Sequence, residues 1–195
     1  MSKIKFPVII DNLFSKKYMD AIEDSCVKTS WSYNNNISYG ENTNKSIQDG
    51  FAITFNTESH YYSLFQYLIF KSCEKINFEV SEISRIRKRL TYPNKERYNI
   101  PYCPHVDYSH NHLVLLYYVN ECDGDTFIFD EILDVPKDER NDEIIAFDKW
   151  TIKERIEPRK GRIVIFDGSS YHSSSLSSTN NRIVLNIDIT GKFKK

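Results

Sequence analysis

Residues 103–112 read CPHVDYSHNH, which places three histidines and a carboxylate within ten positions. The geometry of this stretch decides what the rest of the chain must supply. In an extended strand, side chains two residues apart share a face. His105 and Asp107 therefore point together, and Pro104 biases Cys103 toward extended backbone. His110 and His112 lie beyond, where the chain turns into the next apolar run. A third ligand has to come from elsewhere, and the only downstream histidine is His172. Two histidines and one carboxylate form the facial triad that suits non-haem Fe(II) and leaves coordination positions open.

The segments around these residues read as β-structure. From about residue 83 onward the runs ISRIRKRLTY, HLVLLYYVN, TFIFDE, TIKERIE, GRIVIFD and RIVLNIDI have strand length and are rich in β-branched and aromatic residues. His172 falls between the last two, in a stretch that reads as a loop returning it toward His105. Upstream, FPVIID and GFAITF are short strands. Ser15 can cap a helix running to about Cys26, and a second helix over roughly 59–76 carries an apolar stripe of Leu64, Phe65, Leu68, Ile69, Cys73 and Ile76. SYNNNISYGENTNKS reads as a loop, and 131–150 as a charged insertion. Helices first and strands afterwards predict an α+β domain in which helices brace a β-sandwich, a single domain over 1–195.

Composition narrows the functional classes. The chain has 195 residues, 40% hydrophobic and 14% aromatic, with a formal net charge of -1. That is an ordinary globular composition without a global basic field for nucleic acid. No apolar run approaches the roughly 20 residues that cross a bilayer. Cys26, Cys73, Cys103 and Cys122 form no CxxC pair and follow no secretory signal, which predicts reduced thiols in a cytoplasm.

The pattern His-x-Asp, then a distant His, then a basic residue resembles the 2-oxoglutarate and Fe(II)-dependent dioxygenases. The likeness is to their prolyl 4-hydroxylase-like branch, with its small oxygenases of phage and marine microbes. It extends to FPVIIDNLFSKKYMDAIE, to YYVNECDGDTFIF, to PRKGRIVIFDGSSYHSS and to RIVLNIDIT, so it spans about 6–190. One departure is Asp123 before Gly124, where the family has a second glycine; the expected effect is on the turn. The resemblance implies a double-stranded β-helix (jelly-roll) core and Fe(II) on His105, Asp107 and His172. It implies 2-oxoglutarate as co-substrate and O2 as oxidant, with hydroxylation of a prime substrate coupled to decarboxylation. A phage-encoded member would work in the host cytoplasm. Arg182, ten residues after His172, faces opposite the row Ile183, Leu185, Ile187 and Ile189, and by resemblance it clamps the far carboxylate bidentately. Tyr118, Thr126 and Tyr92 are the implied hydroxyl partners. Asn186 and Asp188 share the Arg182 face as polar support.

The prime substrate is open at this level. The nearest branch favours a peptidyl residue such as proline. A nucleic acid or free small molecule is the first alternative, and a jelly-roll binding protein with an inert centre is the second. Arg85, Arg87 and Arg89 alternate along one strand face. They either line a substrate groove, contact an anionic polymer or stand on a solvated face.

Overall fold

The computed structural model describes residues 4–34, 49–132 and 150–194. The apolar periodicities map onto β1 (Val8–Ile10), α1 (Lys16–Lys28), β2 (Ser32–Asn34), β3 (Gly50–Phe55), α2 (Tyr62–Glu74), β4 (Phe78–Thr91) and β5 (Leu113–Tyr118). There follow β6 (Thr126–Ile132), β7 (Ile152–Ile156), β8 (Ile163–Asp167), β9 (Ser170–Ser174) and β10 (Arg182–Phe193). A larger sheet runs in the order β1-β8-β5-β10-β4-β3-β2, and a smaller one β7-β6-β9. The pairings are antiparallel throughout. The two sheets face each other as a double-stranded β-helix. No described helix is long and apolar enough to cross a membrane.

Strand β5 explains the layering. It is buried along its whole length, so it must lie between two layers of partners. Leu113, Leu115 and Tyr117 join the core shared with the helices, where Ile22, Phe65 and Leu68 pack. Val114, Leu116 and Tyr118 point the other way, into a second core with Ile128, Val164, Phe166 and Val184 between the sheets. The helix core braces the large sheet, and the second core forms the floor beneath the pocket.

Local chemistry sets the helix ends. The Ser15 hydroxyl accepts from Tyr18 N at 3.3 Å and caps α1. At the other end the fully buried Lys88 ammonium donates to Cys26 O (2.9 Å) and Thr29 O (3.1 Å) and lies 3.7 Å above the Trp31 ring. Burial pushes the Lys88 amine down to about 8. This lysine stands on β4, so it ties α1 to the large sheet.

Two strands differ from the sequence reading. Ser32–Asn34, expected as loop, pairs with β3. The serine-rich stretch around His172 also reads as loop, yet it forms β9 against β6. Pairing with a neighbour overrides weak intrinsic preference in both. Residues 133–149 of the charged insertion lie outside the described residues.

Candidate metal centre and co-substrate pocket

The extended segment 103–107 lies against β9 through a two-way backbone bridge. His105 N donates to His172 O (3.0 Å) and His172 N to His105 O (2.9 Å). The two imidazoles thereby come to a centroid separation of 4.6 Å. Each ring turns Nδ1 toward a carbonyl two residues back, Cys103 O at 3.4 Å and Ser170 O at 3.3 Å. Donation through Nδ1 leaves the Nε2 lone pair for a cation. His172 Nε2 stands 3.4 Å from Asp107 Oδ2, and one ligand atom from each of His105, Asp107 and His172 falls within 4.8 Å of the others.

The electrostatics suit a divalent ion. Burial, then the nearby His172, pushes the His105 imidazole down to about 3, so it stays neutral. Burial works against the ionised form of Asp107, but its hydrogen bond and charge contact with His172 and the Arg85 charge hold it well below the usual carboxylate range. Arg85 Nη2 donates to Asp107 Oδ1 at 2.6 Å and Asn186 Nδ2 donates to Asp107 Oδ2 at 3.1 Å. Arg85 Nε also donates to Asp188 Oδ2 at 2.7 Å, and burial with the neighbouring Asp107 charge pushes Asp188 up to about 7. Two imidazoles and a buried carboxylate held by outer partners fit an Fe(II)-type facial site.

A pocket opens from these ligands into the space between the sheets, walled by Val114, Leu116, Phe166 and Val184. Arg182 lies along it and is only 5% exposed. Its Nε donates to Gly124 O (2.8 Å) and its Nη2 to Thr126 Oγ1 (2.8 Å). The Tyr118 hydroxyl also donates to Thr126 Oγ1, at 2.6 Å, and burial raises its pKa. Thr126 therefore accepts two hydrogen bonds and keeps its own O–H as a donor.

Other residues fall elsewhere. Tyr92 does not line the pocket: it is 50% exposed and packs edge-on to Phe51, 5.6 Å away. The strand pleat turns its neighbour Thr91, opposite Arg182, into the interior instead. His110 is exposed, and buried His112 turns Nδ1 to His110 O (2.7 Å) and Nε2 toward Asp188 Oδ1 (3.8 Å). Asp123, at the family's second glycine, accepts from Ser177 Oγ and from Ser178 N (2.8 Å), fastening the loop that leads into β10. The arginine row does not form a solvated face. Its cross-strand partners Asn186 and Asp188 place it inside the β-helix, with Arg87 buried and Arg89 lining the pocket beside Arg182. The contact of Arg85 with Asp107 was not predicted; its only sequence signal is alternation in register with that face.

No family model matches the chain, and no curated protein matches it in sequence. Solved structures do match. A prolyl hydroxylase from Trichoplax adhaerens, in complex with a hypoxia inducible factor peptide fragment, superposes with a TM-score of 0.64 at 12% identity, covering 95% of this chain and 83% of its own. The fold is that of the 2-oxoglutarate and Fe(II) oxygenases. A viral collagen prolyl hydroxylase from Paramecium Bursaria Chlorella virus-1 is similar to it over 96% of this chain and 97% of its own (TM-score 0.57, 14% identity). A 2OG-Fe(II) oxygenase family oxidoreductase from Burkholderia pseudomallei gives 0.64 at 9% identity, covering 97% and 88%. Within this oxygenase fold, the His105–Asp107–His172 cluster occupies the space between the sheets.

Proposed function

We propose that the chain is an Fe(II)- and 2-oxoglutarate-dependent hydroxylase acting as one domain over residues 1–195. The observation that carries this reading is the convergence of His105, Asp107 and His172 beside a buried pocket that also holds the Arg182 guanidinium. When bound, iron and 2-oxoglutarate supply the oxidising chemistry, in which O2 is consumed, the co-substrate becomes succinate and CO2, and a hydroxyl is left on the prime substrate. The residues of this chain do the rest. His105 and His172 present Nε2, because Nδ1 is committed to backbone carbonyls. Asp107, hydrogen-bonded by Arg85 and Asn186, offsets part of the metal charge. Arg182 receives the far carboxylate of the co-substrate, which is costly to bury without such a partner. Thr126, oriented by Arg182 and Tyr118, adds a hydroxyl donor. Val114, Leu116, Phe166 and Val184 exclude water.

The prime substrate is a peptidyl residue such as proline, a reading supported by the likeness to prolyl hydroxylases and to one bound to a peptide. The four cysteines, none of them in a disulfide, suit a reducing cytoplasm. The test is succinate formation. Iron-loaded protein with 2-oxoglutarate is expected to release succinate slowly in air, and to show a weak visible charge-transfer band without oxygen. Absence of both would instead favour a jelly-roll binding protein with an inert centre.

A further inference from the structure

His112, the last histidine of the stretch 103–112, is buried at the far end of the Arg85 contacts. Its Nδ1 lies 2.7 Å from His110 O. A carbonyl only accepts, so Nδ1 carries a proton and Nε2 of the neutral ring is an acceptor. That Nε2 faces Asp188 Oδ1 at 3.8 Å. Both side chains are fully buried, and neither atom has a hydrogen-bond partner. An imidazole lone pair and a carboxylate oxygen thus face each other in the interior, each without the partner that burial demands. A single proton between them removes both faults. Resting on the hydroxylase reading above, we propose that Asp188 carries this proton and donates it to His112 Nε2, and that the resulting chain His112–Asp188–Arg85–Asp107 positions the metal-binding carboxylate.

Each link is placed by the fold. The other Asp188 oxygen, Oδ2, accepts from Arg85 Nε (2.7 Å), and Arg85 Nη2 donates to Asp107 Oδ1 (2.6 Å). Asp188 stands opposite Arg85 on β4 and Val114 on β5, so the large sheet fixes it from both sides. His112 is seated from behind. Gly168 N donates to His112 O (2.9 Å), and a Cβ on Gly168 would run into the imidazole. Tyr108 covers the ring edge-on at 5.6 Å. The charged and titratable groups around the pair are Arg85, Asp107, Tyr108, His110 and His172. Burial raises the Asp188 carboxyl and lowers the His112 imidazole, so both shifts favour the proton on the carboxyl. Closing the gap by about an ångström brings it to hydrogen-bond length. A bridging water fits it poorly, because the two partners of such a water stand about 4.5 Å apart. With Asp188 neutral, the Arg85 charge is directed at Asp107 alone and holds that carboxylate in one orientation.

Co(II) is the metal probe, because its visible bands report ligand geometry as well as affinity. His112→Leu removes the acceptor and is expected to weaken Co(II) binding about tenfold or more and to change the band shape. His112→Gln offers an amide oxygen in place of the ring nitrogen, and Asp188→Asn replaces the protonated carboxyl with an amide of the same shape. Both should keep the wild-type affinity and bands. Wild-type behaviour in His112→Leu would overturn the inference. So would a loss in Asp188→Asn, because the carboxyl would then be acting as an anion. Equal losses in His112→Leu and His112→Gln would reduce the ring to packing and overturn it too. Should His112→Leu fail to fold, the wild-type protein still decides. Nitrogen NMR of histidine-labelled protein, metal-free and Zn(II)-loaded, is expected to show His112 as the Nδ1–H tautomer with Nε2 shifted by an accepted hydrogen bond. A free acceptor nitrogen, or an imidazolium at neutral pH, would overturn the proposal. Failure of wild-type protein to bind Co(II) would instead bring down the hydroxylase reading and this inference with it.

Discussion

His172 and Arg182 stand ten residues apart and serve different ends of the proposed chemistry, so their variants should fail differently. His172 is locked by its bridge to His105 and by its Nδ1 contact to Ser170 O. His172→Ala is expected to abolish stoichiometric Fe(II) or Mn(II) binding, whereas His110→Ala, at an exposed ring, should retain it. Metal analysis of the two purified variants decides this, and full metal content in His172→Ala would remove it from the centre. Arg182→Gln should keep its metal. It loses a charge-assisted fork to a buried carboxylate, a truncation that costs about 3–5 kcal/mol, or about two to three and a half decades of affinity. Arg182→Lys should fall between, since a point charge replaces the fork. Calorimetry of 2-oxoglutarate into Mn(II)-loaded protein reads the difference. Unchanged affinity in Arg182→Gln would pass the role to Arg89, which lines the same pocket.

Strands and turns, one scale up, show which parts of this architecture could be read from the chain. The alternation of β10 was legible: Ile183, Leu185, Ile187 and Ile189 face the helix core, and Arg182, Asn186 and Asp188 face inward. The same alternation in β4 left the side of its arginines undecided. A row of charges suits solvent or the polar interior of a ligand-binding sandwich equally well, and only the pairing of Arg85 with Asp188 decides between them. Strand β9 was hidden for the opposite reason, because a serine-rich run has little strand preference until β6 supplies its partner. Tyr92 was misplaced by a single step of the pleat, which turns Thr91 inward. The turn at Gly161 shows a backbone requirement of the same scale. Gly161 holds φ at +84° and donates N–H to Tyr118 O at 2.9 Å, and a Cβ there would run into Met19 Sδ. Gly161→Ala is therefore expected to cost about 1–2 kcal/mol from the left-handed backbone alone, lowering Tm by about 2–8 °C. A melting curve checks it; an unchanged or raised Tm would show that the turn relaxes freely.

Across the whole molecule, the centre joins the two sheets. His172 belongs to the small sheet, while Asp107 is tied by Arg85 and Asn186 to β4 and β10 of the large one. Occupying the centre should therefore stabilise the entire fold. A ligand present at 100 times its Kd adds about 2.7 kcal/mol, which for a chain of this size is about 5–10 °C in Tm. The effect should depend on pH in a definite direction. His105 titrates near 6.5 in the unfolded chain and is pushed down to about 3 by burial in the fold. Between those values the unfolded chain holds the extra proton, so the contribution of this group is complete above about pH 6.5 and is lost as pH falls toward 3. Metal binding, which needs the neutral imidazole, weakens in the same direction. Melting curves of metal-free and Mn(II)/2-oxoglutarate-loaded protein at pH 7.5 and pH 5 are expected to show both a ligand-induced rise at the higher pH and a smaller rise at the lower one. His172→Ala should show neither. An equal ligand-induced rise in that variant would mean that the stabilising ion sits somewhere other than between the sheets.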